Sequence, residues 1–155
     1  MGIEIEKKFL VKNDSYKNLA EAEIYSQGFL STEKERVVRV RISKEKGWLT
    51  VKGLSKGAKR SEFEYEIPLN DAAFMIDKIC QKPNILKKRY HIPWGKFVWE
   101  VDEFLNENEG LVIAEIELEA ENQEFQLPDW IGEEVTGEEK YYNAYLIKHP
   151  FKSWK

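Results

Sequence analysis

Apolar and charged residues alternate through most of the chain. In the stretch 3–9, Ile3, Ile5 and Phe9 alternate with Glu4, Glu6 and Lys8. Successive side chains of a strand point to opposite faces, so the three charges share one face and the apolar residues the other. This predicts a strand to about Val11. The period recurs at 36–42, where Val38, Val40 and Ile42 oppose Arg39 and Arg41. A turn at 43–47 leads back through 48–52, where Leu49 and Val51 oppose Thr50 and Lys52, so the pair reads as a hairpin. Residues 62–67 alternate strictly up to Pro68. Further strands are predicted at 86–92, with Lys87 and Arg89 on one face, and at 97–104, with Glu100 and Asp102 opposite Trp99 and Val101. At 111–119, Glu115, Glu117 and Glu119 oppose Ala114, Ile116 and Leu118. A shorter apolar run, 24–30, contains Gln27-Gly28-Phe29-Leu30.

Helical signals are fewer. Asn13 or Asp14 is placed to cap a helix to about residue 23, with Leu19 and Ala20 inward. Asn70 is placed to cap a second, carrying Ala72, Met75, Ile76, Ile79 and Cys80 at helical spacing and closing before Pro83. Thr136 with Glu139 matches a capping box opening a last helix through Tyr141, Tyr145 and Leu146, which ends before Pro150. Residues 53–60 hold two glycines and three basic residues but lack the P-loop spacing, and read as a solvated hairpin tip. About eight strands and three short helices, without a linker or repeat, make one domain over 1–155, an antiparallel sheet with helices on one side.

Composition narrows the function classes. A net charge of -4 gives no support to a general nucleic-acid or anionic-membrane binder. No apolar run approaches the roughly 20 residues that span a bilayer, and no signal peptide is expected at the start. A lone cysteine, Cys80, leaves no internal disulfide and fits a reducing, cytoplasmic setting. With two histidines, His91 and His149, beside that thiol, oxygen rather than a zinc-type ligand set should hold any metal.

The charged face has two readings. It carries ten acids, including Glu62, Glu64 and Glu66, and six bases. A half-buried antiparallel sheet with a wet outer face would look similar. Against that, nearly every facing position is fully charged and the charges are sorted by strand. Eight strands also suffice to close a barrel around one small ligand. A charged interior is costly unless its groups compensate one another or bind something. Six bases suit a chain of phosphates, and surplus carboxylates suit a hard divalent cation, magnesium or manganese.

The opening Glu4-x-Glu6-x-Lys8 resembles the signature of the CYTH domain, or triphosphate tunnel metalloenzyme, superfamily. Arg39-x-Arg41, Thr50-Val51-Lys52-Gly53, Lys87-x-Arg89, Asp102 and Glu115-x-Glu117 follow in the family's order. The stretches 27–30 and 136–143 resemble its small bacterial members, so the likeness covers nearly the whole chain. What the resemblance implies is an α+β fold built on a closed eight-stranded antiparallel barrel, a tunnel holding a triphosphate. Lys8, Arg39, Arg41, Lys52, Lys87 and Arg89 would then clamp phosphate oxygens, with Lys140 reaching the tunnel mouth. Glu4, Glu6, Glu115 and Glu117 would hold metal, with Asp102, close by, counted among the metal ligands; Glu6, Lys8 and Glu117 are the candidate catalytic residues. Glu62 and Glu64 would support the bases, and Glu66 and Glu119 would lie at the rims.

The implied activity is metal-dependent hydrolysis of the terminal phosphoanhydride of inorganic tripolyphosphate, extending to nucleoside triphosphates. The enzyme alternatives are a class IV-type adenylyl cyclase and a thiamine triphosphatase, whose ring Trp48, Trp94, Trp99 or Trp130 would stack on if those were not core. A non-catalytic polyphosphate or nucleotide binder is the alternative from another class. Phe151 and Trp154 fit either a homodimer contact or packing on the chain's own barrel.

Overall fold

A computed structural model describes residues 2–154. Its strands are β1 (Ile3–Val11), β2 (Ala22–Ser31), β3 (Val37–Ser43), β4 (Lys46–Lys52), β5 (Lys59–Ile67), β6 (Ile85–Trp94), β7 (Phe97–Phe104), β8 (Val112–Glu117) and β9 (Ile131–Glu134). Eight pair antiparallel in the order β5-β4-β3-β2-β6-β7-β8-β1, and β5 pairs again with β1, closing a barrel. Closure is short: Ile3, Glu4 and Ile5 face Ser61, Arg60 and Lys59, and the Glu6 amide donates to the Ala58 carbonyl at 2.9 Å. Farther along the same edge of β1, Phe9 and Val11 pair with Glu134 and Ile131 of β9. That ninth strand was not anticipated from the sequence.

The β3–β4 hairpin closes on a Ser43↔Lys46 pair, leaving Lys44 and Glu45 as a two-residue turn. Both have positive φ, 51° and 61°, the conformation that matches such a turn to strand twist. Alternation turns the charges inward, so the apolar faces lie outside the barrel and need cover. Phe9, Trp99, Tyr90, Ile116 and Val101 pack beneath Tyr16 and Trp130. A second cluster closes one end of the barrel from inside: Ile85, Phe104, Ile113 and Val37 continue the inward rows of Lys87, Asp102, Glu115 and Arg39 and pack against Val135, Tyr141, Leu146 and Ile147, with Phe151 and Trp154 against them. Trp99 and Trp130 are therefore core, and Trp94 packs against the same cluster.

The other outer cover is α1 (Leu69–Phe74), which continues as a π-turn over Met75–Ile79. It begins one residue before Asn70, after Pro68, and no side chain caps it. Ala72, Ile76 and Cys80 pack on Val40. A Cβ on Gly47 would lie 2.7 Å from the Ala72 Cβ, and one on Gly28 2.8 Å from the Cys80 Cβ, so both glycines admit this helix. Ile79, expected inward, is 59% exposed because the wider last turn shifts the helical spacing.

Two other expected helices shrink. Between 13 and 23 there is only a 3-10 turn, Ser15–Asn18, and β2 already starts at Ala22. Asn13 Oδ1 accepts from the Ser15 amide at 3.0 Å, so the side chain closes a local turn instead of starting a helix. Tyr16 is the buried anchor, its hydroxyl donating to Glu103, while Leu19 is 46% exposed. At the C-terminal end, Thr136 Oγ1 accepts from the Lys8 amide at 3.0 Å and donates to Glu134, which ties the segment to β1 rather than capping a helix. A 3-10 turn (Glu139–Tyr141) and a single turn, α2 (Asn143–Leu146), follow. Among the described residues no helix is long and apolar enough to cross a membrane.

Candidate functional site

The inward row forms a cavity of about 210 Å³. Ten of the twelve candidate residues line it: Glu4, Glu6, Lys8, Arg39, Arg41, Lys52, Lys87, Arg89, Glu115 and Glu117. Asp102 sits behind the lining, 2% exposed. Lys140 lies outside, its ammonium 5.2 Å from the Tyr141 ring and 5.3 Å from that of Trp154. Counting Glu62, Glu64, Glu100 and Arg60, the lining holds seven carboxylates and seven cations. Glu66 and Glu119 are exposed and outside it.

The cavity has a blind end and an open one. At the blind end Lys87, Arg89, Asp102 and Glu115 are all buried. Tyr142, Asn143 and Ala144 close it, and Asn143 Oδ1 accepts from Lys87 Nζ at 2.8 Å and Gln27 Nε2 at 2.7 Å. Toward the other end Glu64 and Glu117 are exposed.

The cations are held apart by their partners. Asp102 accepts from Arg89 Nε at 2.7 Å and Nη2 at 2.9 Å, and from Lys87 Nζ at 2.8 Å. Burial would favour protonating Asp102, but these two cations hold its pKa far below the carboxylate range. Burial dominates at Lys87 and brings its pKa down to about 7 despite Asp102. One Glu64 oxygen serves Arg39 at 3.4 Å, Arg41 at 3.5 Å and the Thr50 hydroxyl at 2.8 Å. The Nε atoms of both arginines are buried without a partner among the described residues. Burial, then repulsion from Arg39 and Arg89, brings Arg41 down to about 10. The Tyr25 ring lies between Arg41 and Arg89, 5.0 and 4.9 Å from their guanidinium carbons. Lys52 bridges Glu4 at 3.2 Å and Glu62 at 3.4 Å.

The carboxylates show strain of a different kind. Glu6, Glu100 and Glu115 each bring one oxygen within 4.8 Å of the others. Burial, then repulsion from Glu115 and Glu4, raises Glu6 well above the usual carboxylate range. Glu115 itself is lowered: burial opposes this, but Lys8, in direct contact, and Arg89 at 3.5 Å outweigh it. An all-oxygen cluster with a carboxyl that resists ionisation beside its neighbours is what a hard divalent cation would relieve.

The lining also holds polar residues that the sequence reading gave no site role, among them Arg60, Glu100, Ser55, Tyr142 and Asn143. Arg60 falls in the stretch read as a solvated tip, yet β5 starts at Lys59. It shares the parity of Glu62 and Glu64, a signal available had the alternation been followed one step back. Glu100 was placed on the charged face but not with the metal candidates; its position across from Glu115 in the β7–β8 register brings it there.

Comparison with known proteins agrees with this geometry. A family model described as the CYTH domain matches residues 2–144. A protein of Acetivibrio thermocellus named inorganic triphosphatase is 55% identical, over 100% of this chain and 99% of its own. An inorganic triphosphatase of Nitrosomonas europaea is 30% identical, over 92% of this chain and 95% of its own. A crystal structure of an inorganic triphosphatase superposes with a TM-score of 0.66 at 28% identity, covering 93% of each chain. A Bacillus halodurans protein provisionally called an adenylate cyclase shares the fold, with a TM-score of 0.63 at 14% identity over 78% of this chain and 84% of its own.

Proposed function

The chain belongs to the CYTH domain family, and from that premise we propose that it is an inorganic triphosphatase, hydrolysing tripolyphosphate to pyrophosphate and orthophosphate within its barrel. The observation carrying this is the joining, in one cavity, of seven cations and a three-carboxylate cluster. Glu6, Glu100 and Glu115 are the residues to hold magnesium or manganese, with Glu4 and Glu117 alongside. Such an ion would neutralise developing charge on the phosphoryl group and lower the pKa of a bound water.

The chain's own groups do the rest. Arg39 and Arg41 present planar forks to phosphate oxygens, fixed by the shared Glu64 oxygen and, for Arg39, by Thr50 as well. Lys8 supplies a point charge beside the carboxylate cluster, and Lys52 a second. Lys87 and Arg89 are set at the blind end by Asp102, which we assign to positioning them because both its oxygens are already used. Lys140 has no role at this cavity on the same reading. These cations lower the cost of bringing a polyanion into the barrel and stabilise charge on the leaving pyrophosphate.

The test is phosphate release from tripolyphosphate, ATP and thiamine triphosphate with magnesium and with manganese, for wild type and Glu6→Ala. Metal-dependent release from tripolyphosphate, lost in Glu6→Ala, is the expected result. Cyclic AMP and pyrophosphate from ATP would make the protein a cyclase, and tight tripolyphosphate binding without turnover would leave a binder.

A further inference from the structure

We propose that Arg60 is a seventh phosphate-binding cation, held ready by a clasp between Ser55 and Tyr142; this rests on the triphosphate reading above. Arg60 is the first inward residue of β5 and stands opposite Glu4 where the barrel closes. Its Nε donates to the Gly53 carbonyl at 2.7 Å, which fixes the plane of the guanidinium. It lines the cavity, and among the described residues it makes no ion pair and no second hydrogen bond, so the donors of its terminal nitrogens are unspent. A guanidinium that only needed to cap a loop carbonyl would not require four further N–H groups inside a charged cavity. Glu4 is engaged with Lys52, and Lys8 stands near Glu6, so the nearby carboxylates do not take up the fork.

Tyr142 keeps this fork in place. Its ring centroid is 5.5 Å from the Arg60 guanidinium carbon and 5.7 Å from Lys8 Nζ. Its hydroxyl is 2.9 Å from Ser55 Oγ. One side chain of the C-terminal segment thereby spans the gap left between β5 and β9 along β1 and joins the loop carrying Gly53 and Ser55. Arg60 acts on the phosphate chain; Tyr142 is a positioning residue.

The measurement is calorimetric titration of tripolyphosphate into metal-free protein in EDTA, where no turnover occurs, followed by KM and kcat with metal. Arg60→Ala should weaken tripolyphosphate binding about 10- to 100-fold, as loss of a charge-assisted pair does. Arg60→Lys, which keeps the charge but not the fork, should fall between Arg60→Ala and wild type. Tyr142→Phe, which loses the Ser55 bond but keeps the ring, should raise KM with little change in kcat. Arg39→Ala serves as the control. Weak binding in Arg39→Ala with wild-type binding in Arg60→Ala would overturn this proposal and leave the triphosphatase reading intact. No binding by wild type, or none of the variants differing from it, would overturn both. Should Arg60→Ala not fold, Arg60→Gln, which keeps a donor for Gly53, is judged by the same outcomes.

Discussion

Replacing Asp102 by asparagine would show whether that carboxylate anchors the two bases of β6 or serves a metal. Its contacts with Arg89 and Lys87 lie between 2.7 and 2.9 Å, at a residue 2% exposed. Asparagine keeps the volume, so no cavity opens, but it removes the charge and turns an NH2 toward groups that are themselves donors. Removing one partner of a buried ion pair costs about 3–5 kcal/mol. Lys87 relieves part of that, because with a pKa of about 7 even beside Asp102 it can give up its proton. Arg89 cannot, so the low end applies, about 3 kcal/mol. At about 2–4 °C per kcal/mol for a chain of this size, Tm should fall by about 6–12 °C. The assay is thermal unfolding at neutral pH in EDTA, with and without tripolyphosphate. Tripolyphosphate should raise the variant's Tm more than that of wild type, since the polyanion supplies the missing charge. A Tm in EDTA within about 2 °C of wild type, together with lost stabilisation by magnesium, would refute this reasoning and make Asp102 a metal ligand.

Glu6 gives a pH signature. Its folded-state pKa is raised by burial, Glu115 and Glu4, so its contribution is full below its unfolded pKa and lost as pH rises through the folded one. Metal-free wild type should therefore lose Tm as pH rises above the ordinary carboxylate range, and Glu6→Gln should flatten that slope. Parallel profiles for the two would count against the crowding of carboxylates around Glu6. Gly47→Ala tests the seat of α1: its Cβ would meet that of Ala72 at 2.7 Å, an overpacking that costs about 1–3 kcal/mol, or about 2–12 °C in Tm. KM for tripolyphosphate should not change, because the contact lies outside the barrel; a shifted KM at constant Tm would mean that α1 is coupled to the cavity.

The fold was legible wherever both faces of a strand had something to say. Ile3 to Phe9, the Arg39/Arg41 hairpin and the Glu115/Glu117 strand each set apolar against charged residues with period two, and each is a barrel strand. β9 was not legible because Ile131-Gly132-Glu133-Glu134 has no alternation, and its pairing with β1 is a tertiary event. The helix expected after Asn13 failed for a related reason. A capping residue and two apolar positions do not make a stripe, and the residue that found burial was Tyr16. Thr136 was read as a cap from spacing alone, whereas its hydroxyl is used across the chain on Lys8.

The candidate site was legible as a face but not as a depth. Period two says which side chains point inward; it does not say how far along the barrel axis each one stands. Depth comes from register. The pairings Arg89↔Asp102, Glu100↔Glu115 and Glu6↔Glu117 set the levels, and with them which acid meets which base. Asp102 and Glu100 look alike in sequence, two residues apart on one face, yet one is sealed against Arg89 and Lys87 while the other joins Glu6 and Glu115. The same ordering explains how a charged interior can be stable when empty of ligand. Lys8 is paired with Glu115, Lys52 with Glu4, Arg39 and Arg41 with Glu64, and Lys87 and Arg89 with Asp102, so six of the seven cations lining the cavity rest on a carboxylate. A cation placed among the carboxylates and a polyanion placed among the bases would each take one partner from such a pair. Either exchange alone gives up an ion pair inside the barrel and so binds more weakly; made together they leave every group compensated. The site is thus built to favour the two ligands together over either one, a property of pairing at matched depth that no single strand's sequence contains.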